Sequence, residues 1–185
     1  MAELFSTFPY LKNDKIIIRK MTESDVEALA EISNNENVYK YIPPFLYKKS
    51  NNFLLSAIRN IGGRDFEKNK MIIAGIYVNE NPNRLVGLAE MFDYKKRANT
   101  ITIGYRINEV FWNQGIATNA VELMIEYLSK EIGINSIQAF VMSNNKYSGK
   151  VLLKNGFQKE DYVMQEKNWG GQEVVDVDVY TYISK

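Results

Sequence analysis

The chain has 185 residues, 45% of them hydrophobic, enough for one domain whose core stands without disulfides or a structural metal. Lysine plus arginine total 23 against 22 acidic residues, a net charge of +1, so no global field draws nucleic acid or an anionic membrane. Cysteine and histidine are both absent, which excludes a thiol nucleophile, a Ser-His relay and a zinc site built on sulfur or imidazole. Proton transfers then fall to carboxylates, Tyr, Lys, Ser or water, and no metal is expected. No apolar run approaches the ~18 residues of a membrane span, and MAELFSTFPYLKND lacks the basic-then-apolar layout of a signal peptide. The expectation is a soluble cytoplasmic protein.

Residues 15–20 (KIIIRK) form a short β-rich run. Thr22, with Asp25 three residues on, reads as a helix N-cap, and Val26, Leu29, Ala30 and Ile32 follow at helical spacing. The stretch NNENVYKYIPPFLYKKS is irregular, with Pro43-Pro44 halting any helix before it. A second helix is predicted over 52–61, ended by Gly62-Gly63. Strands follow over 71–78, 84–94 and 99–107, separated by the turns NENPN and KKRAN. The loop NEVFWNQG leads into a helix over 117–130, whose apolar Ala117, Ala120, Val121, Met124, Ile125 and Leu128 keep to one stripe before Gly133 ends it. Then come a strand over 136–142 and a helix over 145–154, closed by Asn155-Gly156 in a left-handed cap. A strand over 158–167, the tight turn NWGGQ and a final strand over 174–183 complete the chain. The order β-α-α-β-β-β-α-β-α-β-β predicts an α/β (α+β) fold, a mixed sheet with helices on both faces, with residues 1–185 as a single domain.

The segment FWNQGIATNA marks the junction of a strand pattern with a helical one. A helix N-terminus presents unpaired N–H groups and roughly half a positive charge, so it seats anions. Gly115 permits a tight turn and removes a Cβ from the path of a ligand. It is neither a P-loop, since no Lys-Ser/Thr pair follows a Gly at the required spacing, nor a dinucleotide fingerprint, since one Gly stands alone. By itself, a lone Gly before a helix is more often a structural turn.

Several motifs give that turn its context. Trp112-Asn113-Gln114-Gly115-Ile116-Ala117 is similar to Arg/Gln-x-x-Gly-x-Gly/Ala of the GNAT superfamily of acyl-CoA-dependent N-acetyltransferases, with Trp at the first position. FWNQGIAT resembles the form written by its ribosomal-protein N-acetyltransferase (RimJ/RimL-like) branch. Residues 145–157, NKYSGKVLLKNGF, are similar to that branch's N-x-x-S-x-[RK]-V-L-x-K-x-G-F. Gly171 to Tyr180, with Asp176 four residues before the Tyr, resembles its closing G…D-x-x-x-Y, and VYKYIPP also fits. The resemblance implies a mixed, mostly antiparallel sheet of about seven strands. A central strand ending in a bulge would splay from residues 136–142. Acetyl-CoA would be the co-substrate, its pantetheine arm pairing with the backbone of Tyr105, Arg106 and Ile107. Its pyrophosphate would rest on the amides of Asn113, Gln114, Gly115, Ile116, Ala117 and Thr118, next to Trp112.

Acetyl transfer to an amine needs a base for the ammonium proton, a polarised thioester and a proton for the departing thiolate. Glu90, between Leu88 and Phe92 on one strand face, reads as a desolvated carboxylate fit for the base, or else as a salt-bridge partner. Asp176, which the resemblance puts near the acceptor, is its rival, or a tie to a neighbouring loop. The resemblance assigns Ser148 to the sulfur. The Tyr that many relatives carry four residues before the Gly of the G-F pair is Leu152 here. Asn145 would bind the pantetheine amide or simply cap its helix. Tyr39, Tyr41, Phe45 and Tyr47 either pack a long loop or form an aromatic floor that receives an amine. The expected function is therefore direct transfer, in a ternary complex, from acetyl-CoA to a small-molecule amine or a protein N-terminus. Neither nucleic acid nor membrane is expected as a partner, and a homodimer is left open. A non-catalytic acyl-CoA sensor, or an interaction domain that kept the fold alone, are the rival readings.

Overall fold

The computed structural model describes residues 2–184. Its first half holds strands β1 (Leu11–Lys12) and β2 (Ile16–Arg19), then helices α1 (Val26–Ser33), α2 (Glu36–Tyr39), α3 (Asn51–Gly62) and α4 (Arg64–Glu67). Strands β3 (Met71–Val78), β4 (Asn81–Lys95) and β5 (Thr100–Ile107) follow and lead to helix α5 (Ile116–Glu126). The remainder is β6 (Ser136–Met142), α6 (Lys146–Lys154), β7 (Gln158–Trp169) and β8 (Gln172–Ile183). These build an eight-stranded sheet in the order β1-β2-β3-β4-β5-β6-β8-β7. All neighbours run antiparallel except β5 and β6, which are parallel and joined through α5.

Alternation along the central strands divides the core between two sheet faces. Ile72, Ala74 and Ile76 of β3 pack with Ala120, Val121, Met124 and Leu128 of the α5 region and with Leu152 of α6. Their neighbours Ile73 and Tyr77 pack on the other face with Leu29 and Ile32 of α1 and Leu54, Ile58 and Ile61 of α3. The sheet thus has helices on both faces.

The parallel pair is where the sheet opens. Strands β5 and β6 meet only at Thr100–Ser136, Ile101–Ile137 and Thr102–Gln138. Beyond them, β5 stays paired to β4 through Ile107, while β6 stays paired to β8 through Met142. Each strand keeps its outer partner, and the two part. The bulge expected at the end of β5 is not there, since its register with β4 is regular from Thr102 to Ile107. Irregularities fall instead on β4, between Phe92 and Lys95 opposite the start of β5, and between β3 and β4, where Ile76 faces Gly87 and Tyr77 faces Leu85.

Other differences are at the margins. The eighth strand is the two-residue β1, too short to show a period; α2 is a single turn inside the stretch read as irregular, and α4 a single turn just after Gly62-Gly63. Strand β4 starts at Asn81, so Pro82 lies within it rather than in the turn. Helix α5 starts one residue earlier than expected and relaxes into a π-helical turn over Tyr127–Ile132, ended by Gly133 at φ 82°. Gly156, at φ 84°, closes α6 as expected. No helix among the described residues is long and apolar enough to cross a membrane.

Candidate active site

Past β5 a short turn, Glu109–Phe111, delivers the chain to Asn113 and Gly115, both left-handed at φ 61° and 77°. Asparagine tolerates that region, and glycine has no Cβ to oppose it. Gly115 caps α5 without any side-chain hydrogen bond, and a Cβ there would meet nothing nearer than Asn119 Nδ2 at 3.8 Å. The Asn119 N–H reaches the Gly115 carbonyl at 3.1 Å, whereas the N–H groups of residues 113–118 find no protein acceptor among the described residues. No acidic side chain occupies the first turn, so the helix end keeps its partial positive charge. Main chain alone forms this cradle, and its donors suit a phosphate.

The cradle follows directly on the parted end of β5. Tyr105, Arg106 and Ile107 all lie beyond the last pair with β6. Trp112 closes the strand end, its indole Nε1–H donating to the Ile107 carbonyl at 2.8 Å. That carbonyl is therefore engaged within the protein.

Arg106 contributes more than backbone. Its side chain is buried on the face of α1 and α3, where Nε donates to Glu90 Oε1 at 2.6 Å. Its Nη1 donates to Tyr39 Oη at 3.1 Å and to the Phe45 carbonyl at 2.9 Å. Burial opposes the guanidinium charge, but the Glu90 carboxylate and the Tyr39 hydroxyl outweigh it, and the proton is held more tightly than usual. Glu90 is accordingly an ion-paired carboxylate, as the second of its two sequence readings has it, with a side-chain exposure of 12%. Its Oε2 has no protein donor among the described residues.

The aromatic residues of the irregular loop are mostly committed. Tyr39 is buried, donates to the Phe45 carbonyl at 2.8 Å, stacks on Tyr47 at 4.6 Å and lies 5.3 Å from the Arg106 guanidinium. Burial pushes its phenol up despite Arg106. Tyr41 packs on the cluster of Met142, Val175 and Val177, with the Lys40 ammonium 5.3 Å from its ring. Both rings already have a cation of the protein beside them. The loop is held further by the hairpin tip, where Gly170 N–H donates to the Ile42 carbonyl at 3.1 Å.

Across the sheet, Asn145 caps α6 by accepting from Ser148 N–H at 3.4 Å, and its Nδ2 donates to Ser148 Oγ at 3.1 Å. The Ser148 hydroxyl hydrogen is left free to donate. Tyr105 Oη donates to the Ser148 carbonyl at 3.3 Å, tying β5 to the start of α6, and burial pushes this phenol up to about 12. The Asp176 side chain is exposed, and among the described residues its one hydrogen bond comes from Gln165 Nε2 at 3.5 Å. Through the register of β8 with β6 it shares the face of Tyr180, which packs with α6. Glu90 points to the opposite face, so the two carboxylates are not brought together. Its neighbour Asp178 is the engaged one, buried with Ser143 Oγ at 2.8 Å and Lys159 Nζ at 2.8 Å.

The Arg106 side chain and the Phe45 carbonyl were missed in the sequence. The signal was present in part, because Arg106 is the one charge of β5 and Glu90 the one charge in the apolar run 85–92 of β4. Pairing them needs the register that sets Leu88 opposite Arg106 and Glu90 opposite Gly104.

An eight-stranded sheet parted at its one parallel pair, with an amide cradle at the mouth of the gap, defines an acyl-transferase scaffold. Residues 15–158 match the family described as "Acetyltransferase (GNAT) domain", and the chain belongs to that family of acetyltransferases. It is 27% identical over 176 residues to the uncharacterized N-acetyltransferase YoaA of Bacillus subtilis, spanning 95% of this chain and 97% of that one. It is 32% identical over 71 residues to the ribosomal protein uS5-alanine N-acetyltransferase of Escherichia coli, covering 36% and 37% of the two chains. Among solved structures, the microcin C7 self-immunity acetyltransferase MccE in complex with acetyl-CoA and AMP superposes with a TM-score of 0.80 at 21% identity, over 92% and 93% of the chains. RimL, a ribosomal alpha-N-protein acetyltransferase in complex with coenzyme A, superposes with a TM-score of 0.81 at 18% identity, over 95% and 98%. At these identities the structural likeness is one of fold.

Proposed function

We propose that this acetyltransferase moves an acetyl group from acetyl-CoA to a primary amine by direct transfer in a ternary complex, with residues 1–185 acting as one domain. The observation that carries the reading is the run of free N–H groups over residues 113–118, opening at the parted end of β5 and β6. A diphosphate fits donors of that kind, and an extended arm fits a gap bordered by strand edges. The pyrophosphate is assigned to residues 113–118 and the pantetheine arm to the main chain of Tyr105 and its neighbours. When bound, acetyl-CoA supplies the activated acyl carbon.

The remaining roles fall to this chain's side chains. Glu90 Oε2 accepts the proton of the acceptor ammonium; Asp176, exposed on the opposite face, is the weaker candidate. The Ser148 hydroxyl, oriented by Asn145, hydrogen-bonds the sulfur as it gains charge. With no Cys or His in the chain, a covalent acetyl-enzyme lacks its usual nucleophile. A protein N-terminal amine is the favoured acceptor, on the likeness to the uS5-alanine enzyme and the RimJ/RimL-like motifs.

A thiol-release screen with acetyl-CoA against N-terminal peptides, polyamines and aminoglycosides tests this. Amine-dependent release with one class is the expected result. CoA-dependent thermal stabilisation without release for any amine would instead make the protein a sensor. Absence of CoA binding would leave only the fold.

A further inference from the structure

Most glycines in this chain have a visible reason to be glycine. A Cβ on Gly75 would lie 2.6 Å from Tyr77 Oη, on Gly87 2.5 Å from the Arg106 carbonyl oxygen, and on Gly149 2.5 Å from Tyr180 Oη. Gly115, Gly133, Gly156, Gly170 and Gly171 have positive φ. Gly104 has neither reason. It lies inside β5, outside the left-handed region, and a Cβ would sit at ordinary contact distances: 3.5 Å from Glu90 Oε2, 3.6 Å from Phe92 Cε1 and 3.7 Å from Glu90 Cβ. Glycine within a strand sacrifices packing and backbone entropy, and commonly marks a place where another molecule approaches closely.

The surroundings of this bare position are specific. Gly104 faces Glu90 across the β4–β5 ladder and lies past the last pair between β5 and β6, on the parted stretch. Glu90 Oε1 is held by Arg106 Nε at 2.6 Å, and Oε2 lies over Gly104 without a protein donor among the described residues. Arg106 is itself fixed by Tyr39 and the Phe45 carbonyl. One oxygen of the carboxylate is tied down, and the other is aimed over the one β5 position that carries no side chain.

We propose that Gly104 is the specificity-determining opening through which the acceptor amine meets Glu90 Oε2, and that Arg106 is the positioning residue that turns this oxygen towards it. The proposal rests on Glu90 as the base in the function proposed above. An alanine methyl at position 104 lies within contact of Oε2 and stands where the amine must pass, yet strains neither backbone nor neighbours.

The test uses the full chain and the variants G104A, G104V, R106K and E90Q. The acceptor probes are a hexapeptide with N-terminal alanine, spermidine and an aminoglycoside; steady-state kinetics use those that the wild type acetylates, alongside CoA calorimetry and thermal melting. G104A should melt like wild type, bind CoA equally and keep the acetyl-CoA KM, while acceptor kcat/KM falls about tenfold or more. G104V should fall further. R106K should lower kcat with little change in acceptor KM; lower melting at unchanged kcat would mark a structural role and overturn the positioning claim. Wild-type acceptor kinetics in G104A would overturn the opening, as would an equal loss of CoA affinity, which would assign the space to the coenzyme. Wild-type rates in E90Q beside an impaired G104A would remove the base and leave the opening standing. A wild type that binds CoA but acetylates none of the probes would overturn both the opening and the function it serves.

Discussion

Arg106 and Glu90 put opposite charges beneath the α1–α3 face, and each makes the other tolerable there. Breaking a buried ion pair from one side leaves an uncompensated charge at a cost of about 3–5 kcal/mol. Arg106→Met should therefore destabilise the fold by that order in chemical denaturation and free the loop from its anchor at the Phe45 carbonyl. At Gly115 the φ of 77° serves the chain's turn, and the open surroundings suit the proposed phosphate site. Gly115→Glu adds left-handed strain and a negative charge at the amide cradle, and should reduce CoA affinity at least ~100-fold by calorimetry; unchanged affinity would remove the phosphate site. Gly115 was legible because the turn and the helix start are local in sequence. The Arg106 side chain was not, because its partners come from β4, from the end of α2 and from the loop after it, at separations of 16 to 67 residues.

Strands β5 and β6 diverge because each follows a different antiparallel partner. Along the parted stretch, the β5 amides that face the gap rather than β4 have no ladder to protect them. Hydrogen exchange should find those amides within residues 103–107 fast in the free protein and slowed by CoA, together with the amides of 113–118. Protection that does not change with CoA would argue against a coenzyme arm in the gap. Helix α6 offers a smaller test, since Asn145 caps its start and orients Ser148. Asn145→Ala should cost about 1 kcal/mol in stability. It should also lower turnover through Ser148, so activity should fall more than folding alone explains.

For the molecule as a whole, buried phenols set an alkaline limit. Burial pushes Tyr105 and Tyr127 from an ordinary 10.0 up to about 12, and burial and Asp25 push Tyr77 up as well. Below the ordinary value, folded and unfolded chains both keep these protons, and the stabilisation is complete. Between about 10 and 12 the unfolded chain ionises while the fold does not, so stability is lost as pH rises through that window, by up to about 2–3 kcal/mol for Tyr105. Urea midpoints measured between pH 9 and 12 should fall accordingly, and Tyr105→Phe should flatten part of the fall. Sequence alone determined the order of the longer strands and helices, the helices on both faces of the sheet and the turn at Gly115, because periodicity, caps and turn chemistry are written within a few residues of each other. Only the tertiary structure decided that β5 and β6 part without a bulge in β5, that Glu90 carries Arg106 as its partner, and that Asp176 lies on the other face. Those facts depend on which strands pair and in what register, and register is a property of distant segments meeting.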